Sequence, residues 1–321
     1  MGRASALACA LLVAAAPGTA QGAGGVLDRV KAEGVVRCGA SARPGFAAAG
    51  EGRIAGLAVD LCRAVAIAVL GPRGRVEFRL YATPRDRDAI RDGADDIAFV
   101  SGGEIAEGDL AASVLPGPTA FIDAFALMAP SDAAIGRVED LAGQLVCFMA
   151  GSAAQRALEA ATAERGVAFA RLGFQEEAEM LDAYNARRCR AVAGAATELA
   201  LMREDGGVNH LTSRILPEPL ALDPVLAATG IDDGRWSALV AWVIDALILG
   251  DRPRSAWRAD TLPLPAAALG LREHWREEIH AALGSYGDMV RRDLGEDSPL
   301  KLPVGPNAPW PGGLLLPPGA E

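Results

Sequence analysis

The reactive potential of this chain lies in five cysteines, three histidines and a few glycine-rich turns. Cys9 sits in an apolar leader. The other four, Cys38, Cys62, Cys147 and Cys189, form an even set suited to disulfides in an exported protein. Four cysteines permit three pairings. Pairing neighbours in sequence gives Cys38–Cys62 and Cys147–Cys189, one staple in each half; either crossed pairing ties the halves together. The spacing is far from a CxxC pair, and His210, His274 and His280 complete no ligand pattern, so no metal is expected. There is no GxSxG, HExxH, P-loop or dinucleotide fingerprint, so neither a catalytic residue nor a cofactor is expected. The turn Gly151-Ser152-Ala153 opens a helix, whose free N–H groups can hold an anion. Ser152 suits an ordinary N-cap equally well.

The elements that must position these groups fill 321 residues, enough for two lobes of ordinary size. The balance of 31 basic against 41 acidic residues, net −10, disfavours a nucleic-acid partner. Residues 1–20 read as a signal peptide: Arg3, the apolar run Ala4 to Ala16, then Pro17-Gly18-Thr19-Ala20 for cleavage. That reading predicts a periplasmic protein. Trp236 to Leu249 is strongly apolar but short and carries Asp245, so it reads as a packed helix.

Strand and helix patterns alternate from there. Val35–Cys38 is a strand, Leu57–Leu70 a helix, Arg75–Leu80 a strand, Pro84–Arg91 a helix and Asp96–Val100 a strand. This β-α-β-α-β order predicts a parallel sheet with helices on its faces. Phe121–Met128 is a further strand running into Ala129-Pro130-Ser131-Asp132, a crossing between lobes. A second α/β unit follows, with strands Leu145–Met149 and Ala191–Ala193 and helices through Arg165 and from Glu176 to Arg187. Leu216-Pro217-Glu218-Pro219 marks the return. The last third is helical, with Trp236, Trp242 and Trp275 as core anchors, and ends in a Pro/Gly-rich tail from Pro303. The predicted division is lobe I from 26–128 and 217–321, and lobe II from 129–216. Facing sheets place a binding site between lobes, outside the carboxyl ends of the strands.

Several stretches resemble family-3 periplasmic solute-binding proteins of the general L-amino-acid type. They are Val30 to Gly39, Pro44-Gly45-Phe46, Gly56 to Ala66, Asp92 to Asp96, Leu145-Val146-Cys147 and Arg188-Cys189. The tail adds Gly284 to Gly287, Gly295 to Lys301 and Asn307 to Trp310. The resemblance implies a type II periplasmic-binding-protein fold, with two α/β lobes joined by two crossover strands. It also implies disulfides within each lobe, a small polar solute such as an amino acid, an ABC permease as partner, and a monomer.

The resemblance also implies a site that this chain lacks. Relatives carry Asn-Thr-Thr-Trp-Thr and then an arginine after the strand ending at Val100. Here the segment reads Ser101-Gly102-Gly103-Glu104-Ile105-Ala106-Glu107-Gly108, with Gly108 in the arginine's place. Relatives also present an aspartate for the ammonium where this chain has Ala195. A zwitterion needs a fork for its carboxylate and a carboxylate for its ammonium, and burying either unpaired costs several kcal/mol. The expectation is therefore a solute-binding scaffold with altered or lost amino-acid specificity, or an accessory or sensor protein that kept the scaffold. Arg43 is a candidate replacement for the missing arginine, Glu104 and Glu107 candidates for a cationic solute, and Phe46 a candidate ligand contact.

Overall fold

The computed structural model describes residues 25–50, 52–106, 109–204, 212–251, 266–303, 305–308 and 312–317. The leader, the proposed cleavage point, Glu107 and Gly108 lie outside these residues.

The chain enters as α1 (Val26–Glu33) and β1 (Val35–Ser41), then a small hairpin, β2 (Ala48–Gly50) and β3 (Arg53–Ala55). Next come α2 (Leu57–Leu70), β4 (Arg75–Tyr81), α3 (Asp88–Arg91), β5 (Ile97–Ser101), α4 (Gly102–Ala106) and β6 (Val114–Leu115). The long β7 (Thr119–Pro130) leads into β8 (Leu145–Met149), α5 (Ala153–Arg165), β9 (Ala170–Phe174), α6 (Glu177–Asn185), β10 (Ala191–Ala195), α7 (Ala196–Glu204) and β11 (Ser213–Ile215). The return strand is β12 (Ala221–Gly230), followed by α8 (Gly234–Gly250), α9 (Ala266–Leu269), α10 (Trp275–Leu283) and α11 (Tyr286–Asp293).

The main sheet runs β4-β1-β5-β12-β7-β10-β8-β9, with β6 and β11 pairing off that path. At one end β1 pairs parallel with β4 and β5; at the other β8 pairs parallel with β10 and β9. Between them β7 and β12 run antiparallel to each other and to their outer neighbours. Two parallel α/β units are thus joined by two long strands, as the alternating sequence pattern predicts. The inner strands β5 and β10 are buried on both faces, which fits their nearly continuous apolar runs, while the edge strands β4 and β9 are partly exposed.

Each half has its own apolar core. In the first, α2 is buried almost all round among β1, α8, α10 and α11, because its Ala- and Val-rich sequence leaves little polar surface to show. Trp236 and Trp275 lie in this core, and Trp242 packs against it half-buried. The Trp236 indole N–H donates to the Asp96 carbonyl at 2.9 Å, so its polar edge is satisfied. In the second half Leu127, Val146 and Leu158 form one core face, and Met128, Met180 and Tyr184 the other. None of the described helices is long and apolar enough to cross a membrane.

The pairings of cysteine neighbours are the ones formed. Cys38 of β1 joins Cys62 of α2 with 6.4 Å between α-carbons, and Cys147 of β8 joins Cys189 before β10 with 5.8 Å. Neither bond links the two halves. In the chain-entropy picture each stabilises by about 3–4 kcal/mol. Mature protein refolded under reducing conditions should therefore unfold at a clearly lower urea concentration than oxidised protein. An unchanged midpoint would contradict the pairing.

Candidate functional site

The chain leaves the carboxyl end of β1 and makes a tight loop at Arg43–Ala47. The Arg43 N–H donates to the Ala47 carbonyl at 2.8 Å, and the Ala47 N–H returns a bond to Arg43 at 2.9 Å. Gly45 has φ +70°, and a Cβ there would sit 2.5 Å from the Asp293 carbonyl oxygen, so the turn requires glycine. Phe46 anchors the loop. Its ring is 1% exposed, stacks on Phe121 at 5.0 Å and meets Phe99 edge-on at 5.9 Å. This core packing leaves no face of the ring for a solute.

Arg43 points the other way, onto the joining strands. One guanidinium nitrogen donates to Asp123 at 2.6 Å and the other to Asp223 at 2.9 Å. The two aspartates are register partners across β7 and β12. Like charges directly opposite in a sheet repel, and here both are largely buried. The guanidinium between them removes that conflict. Burial alone would lower the Arg43 pKa, but the two carboxylates hold it above its ordinary value. Burial raises the Asp223 pKa, with Arg43 pulling against it.

The second half closes on the same point. Thr197, at the start of α7, donates its hydroxyl proton to Asp123 at 2.7 Å. Glu198 follows. It is exposed, and its carboxylate accepts a hydrogen bond from the Ala195 N–H. Lost hydration pushes its pKa up, partly offset by the charge of Arg43. Ala200, one turn on, packs into the first half's core. Helix α7 therefore spans the two halves.

Glu104 holds the neighbouring strand ends together. Its carboxylate accepts from the Ser101 N–H at 2.7 Å, from Arg87 at 2.8 Å and from the Ser41 hydroxyl. It is engaged within the chain rather than turned toward a solute. Gly102 and Gly103 have room beside them: the nearest atoms to an added Cβ are 3.9 and 3.7 Å away. At Gly151-Ser152-Ala153 the Ser152 hydroxyl accepts from the Gln155 N–H at 3.1 Å, and the Gly151 N–H is met by the Gln155 side chain at 2.8 Å. That turn caps its own helix.

Arg43, Ser101, Glu104 and Ala195 thus converge at the carboxyl ends of β1, β5 and β10. The sequence reading missed Asp123, Thr197, Glu198 and Asp223. The available signal was an aspartate inside the apolar run Phe121–Met128, since an aspartate in a buried strand demands a partner. The cluster counts three carboxylates, Asp123, Asp223 and Glu198, against one guanidinium, a net −2 when all are ionised. Glu104 and Arg87 cancel each other.

Two parallel α/β units joined by two strands, with polar groups gathered at the junction, define a type II periplasmic-binding-protein fold. No family model matches the chain. Curated relatives agree with the fold. The general L-amino acid-binding periplasmic protein AapJ of Rhizobium johnstonii is 26% identical over 306 residues, covering 88% of this chain and 89% of AapJ. YhdW of Escherichia coli K12, named as an amino-acid ABC transporter-binding protein, is 25% identical over 310 residues, 91% of each chain. A solved ABC-transporter periplasmic binding protein from Brucella ovis, with glutathione bound, has a TM-score of 0.69 and 26% identity, covering 89% of this chain and 96% of its own. The chain is a homologue of the family-3 solute-binding proteins of amino-acid ABC transporters.

Removing Arg43 would leave two buried aspartates face to face. Arg43→Met is expected to cost about 3–5 kcal/mol at pH 7. The loss should shrink toward pH 4, where protonation relieves the repulsion. Urea unfolding at the two pH values checks this; an equal cost at both would contradict it.

Proposed function

We propose that this chain is the exported binding subunit of an amino-acid-type ABC transporter, and that it captures a small polar solute carrying positive charge between its halves. In this reading residues 1–20 direct export, lobe I comprises 26–128 and 217–321, lobe II comprises 129–216, and the strands β7 and β12 are the hinge. A monomer delivers the solute to an inner-membrane permease. Homology to binding proteins supports binding rather than catalysis.

The observation that carries the solute class is the charge of the cleft floor. Arg43 already has both arms on Asp123 and Asp223, so a solute carboxylate meets no unoccupied fork there. Glu198 is the accessible member of the cluster; lost hydration raises its pKa, Arg43 opposes that shift and the charge of Asp123 adds to it. A cation beside Glu198 would restore the balance. The cluster also fits a second reading, since a floor filled by the chain's own arginine suits a scaffold that no longer carries a solute.

A thermal-shift screen of mature protein separates these. The probes are L-arginine, L-lysine, putrescine, glutathione, L-leucine and L-glutamate. Each binder at a tenfold excess over its Kd stabilises by roughly 1.4 kcal/mol. The cationic probes should raise the melting temperature most, and Glu198→Gln should erase that gain. A stronger shift with L-glutamate would sink the charge argument. No shift with any probe would favour the accessory or sensor reading.

A further inference from the structure

Away from the cleft floor, a second carboxylate pair joins two helices behind the Arg43 loop. Asp60 lies in the first turn of α2, and Asp293 is the last residue of α11. Asp293 is 14% exposed in its side chain, and its Oδ2 is buried with no hydrogen-bond donor among the described residues. Arg292 bonds to Asp60 and lies 3.4 Å from Asp293, so one half-exposed cation serves two carboxylates and sets them side by side.

A buried carboxylate oxygen without a donor is costly. The cost disappears if that oxygen carries a proton and donates it to the neighbouring carboxylate. Helix dipoles decide which residue holds it. A negative charge is favoured in the first turn of α2 and disfavoured at the carboxyl end of α11, so the proton belongs on Asp293.

The pair also borders the loop that presents Arg43. The Leu57 and Ala58 N–H groups, at the start of α2, donate to the Gly45 and Phe46 carbonyls at 3.1 and 2.9 Å. From the other side, the Asp293 backbone carbonyl and the Leu294 side chain crowd the space beside Gly45. The loop is therefore held between the two helix ends that the carboxyl pair connects.

We propose that Asp60 and Asp293 share one proton, and that this proton is a pH-sensitive tie between α2 and α11 that secures the Arg43 loop. The charged groups acting on Asp293 are Asp60, from α2, and Arg292, from its own helix. Burial, then the charge of Asp60, pushes the Asp293 carboxyl up to about 7, with Arg292 opposing. A folded-state pKa above the unfolded carboxylate value means that the folded protein keeps the proton while the unfolded chain releases it. The contribution is therefore full in acid and is lost as pH rises from about 4 through about 7. The tie does not depend on which solute the protein carries.

The test is urea unfolding of mature wild type and Asp293→Asn between pH 5 and 8.5, paired with hydrogen exchange of peptides spanning residues 43–58. The wild-type folding constant should fall across that range by roughly tenfold to a hundredfold more than that of Asp293→Asn. Exchange in the 43–58 peptides, corrected for the intrinsic pH dependence, should accelerate in wild type and stay level in the variant. Asp60→Asn, which also leaves one unopposed carboxyl, should likewise flatten the stability curve and serves if Asp293→Asn does not fold. Parallel stability curves for wild type and variant would overturn the shared proton. A flattened curve with unchanged loop exchange would overturn the link to Arg43.

Discussion

Two aspartates facing each other across the joining strands cannot both stay charged and buried without a cation between them. Arg43 supplies that cation, and much of the local architecture follows from the need to place it. Its loop must turn tightly enough to require Gly45, and it must be pinned so that the guanidinium does not drift. Phe46, stacked on Phe121 and edge-on to Phe99, does the pinning from the core side. Thr197 then brings the second half to the same carboxylate. One ionic contact thereby joins the first half's loop, both connecting strands and the second half's helix.

That arrangement bears on motion as well as charge. The disulfides stay within their halves, so covalent chemistry leaves the junction free to bend. Among the described residues the noncovalent ties across it include Thr197 on Asp123, Ala200 and Ile215 against the first half's core, and Arg203 on the Leu300 carbonyl. Most come from α7. A hinge held mainly by one helix and a charge cluster can respond to a solute that alters either, because binding shifts populations only through differential contacts.

Much of the fold was legible in the sequence, for a physical reason. In β1, α2, β4, α3 and β5 the apolar period switches cleanly between strand and helix, with Gly71-Pro72 and Gly93 as stops. β12 was not legible, because Asp223 and Pro224 interrupt its apolar run and proline usually argues against a central strand. Pro224 is tolerated near an irregularity in the β7 pairing, between Val225 and Leu226. β9 reads Ala-Arg-Leu-Gly-Phe, too short and mixed to stand out. The site was legible only in part. Arg43 was visible as a charge beside a conspicuous turn, but its partners lie far along the chain and meet only because β7 and β12 pair in that register. Glu104 was expected to face a solute; no sequence pattern announces that Ser41, Ser101 and Arg87 surround it. Phe46 looked like a cleft residue for the same reason, since Phe99 and Phe121 reach it only in three dimensions.

The most direct test of the central claim is a double-mutant cycle between Arg43 and Asp223, using Arg43→Met, Asp223→Asn and the double variant in urea unfolding at pH 7. A structural ion pair at the junction predicts a coupling energy near the upper end of the usual range, about 2–3 kcal/mol, with the double variant more stable than Arg43→Met alone. Additive costs, with coupling within about 0.5 kcal/mol of zero, would show that the arginine does not hold the strands together and would contradict the account.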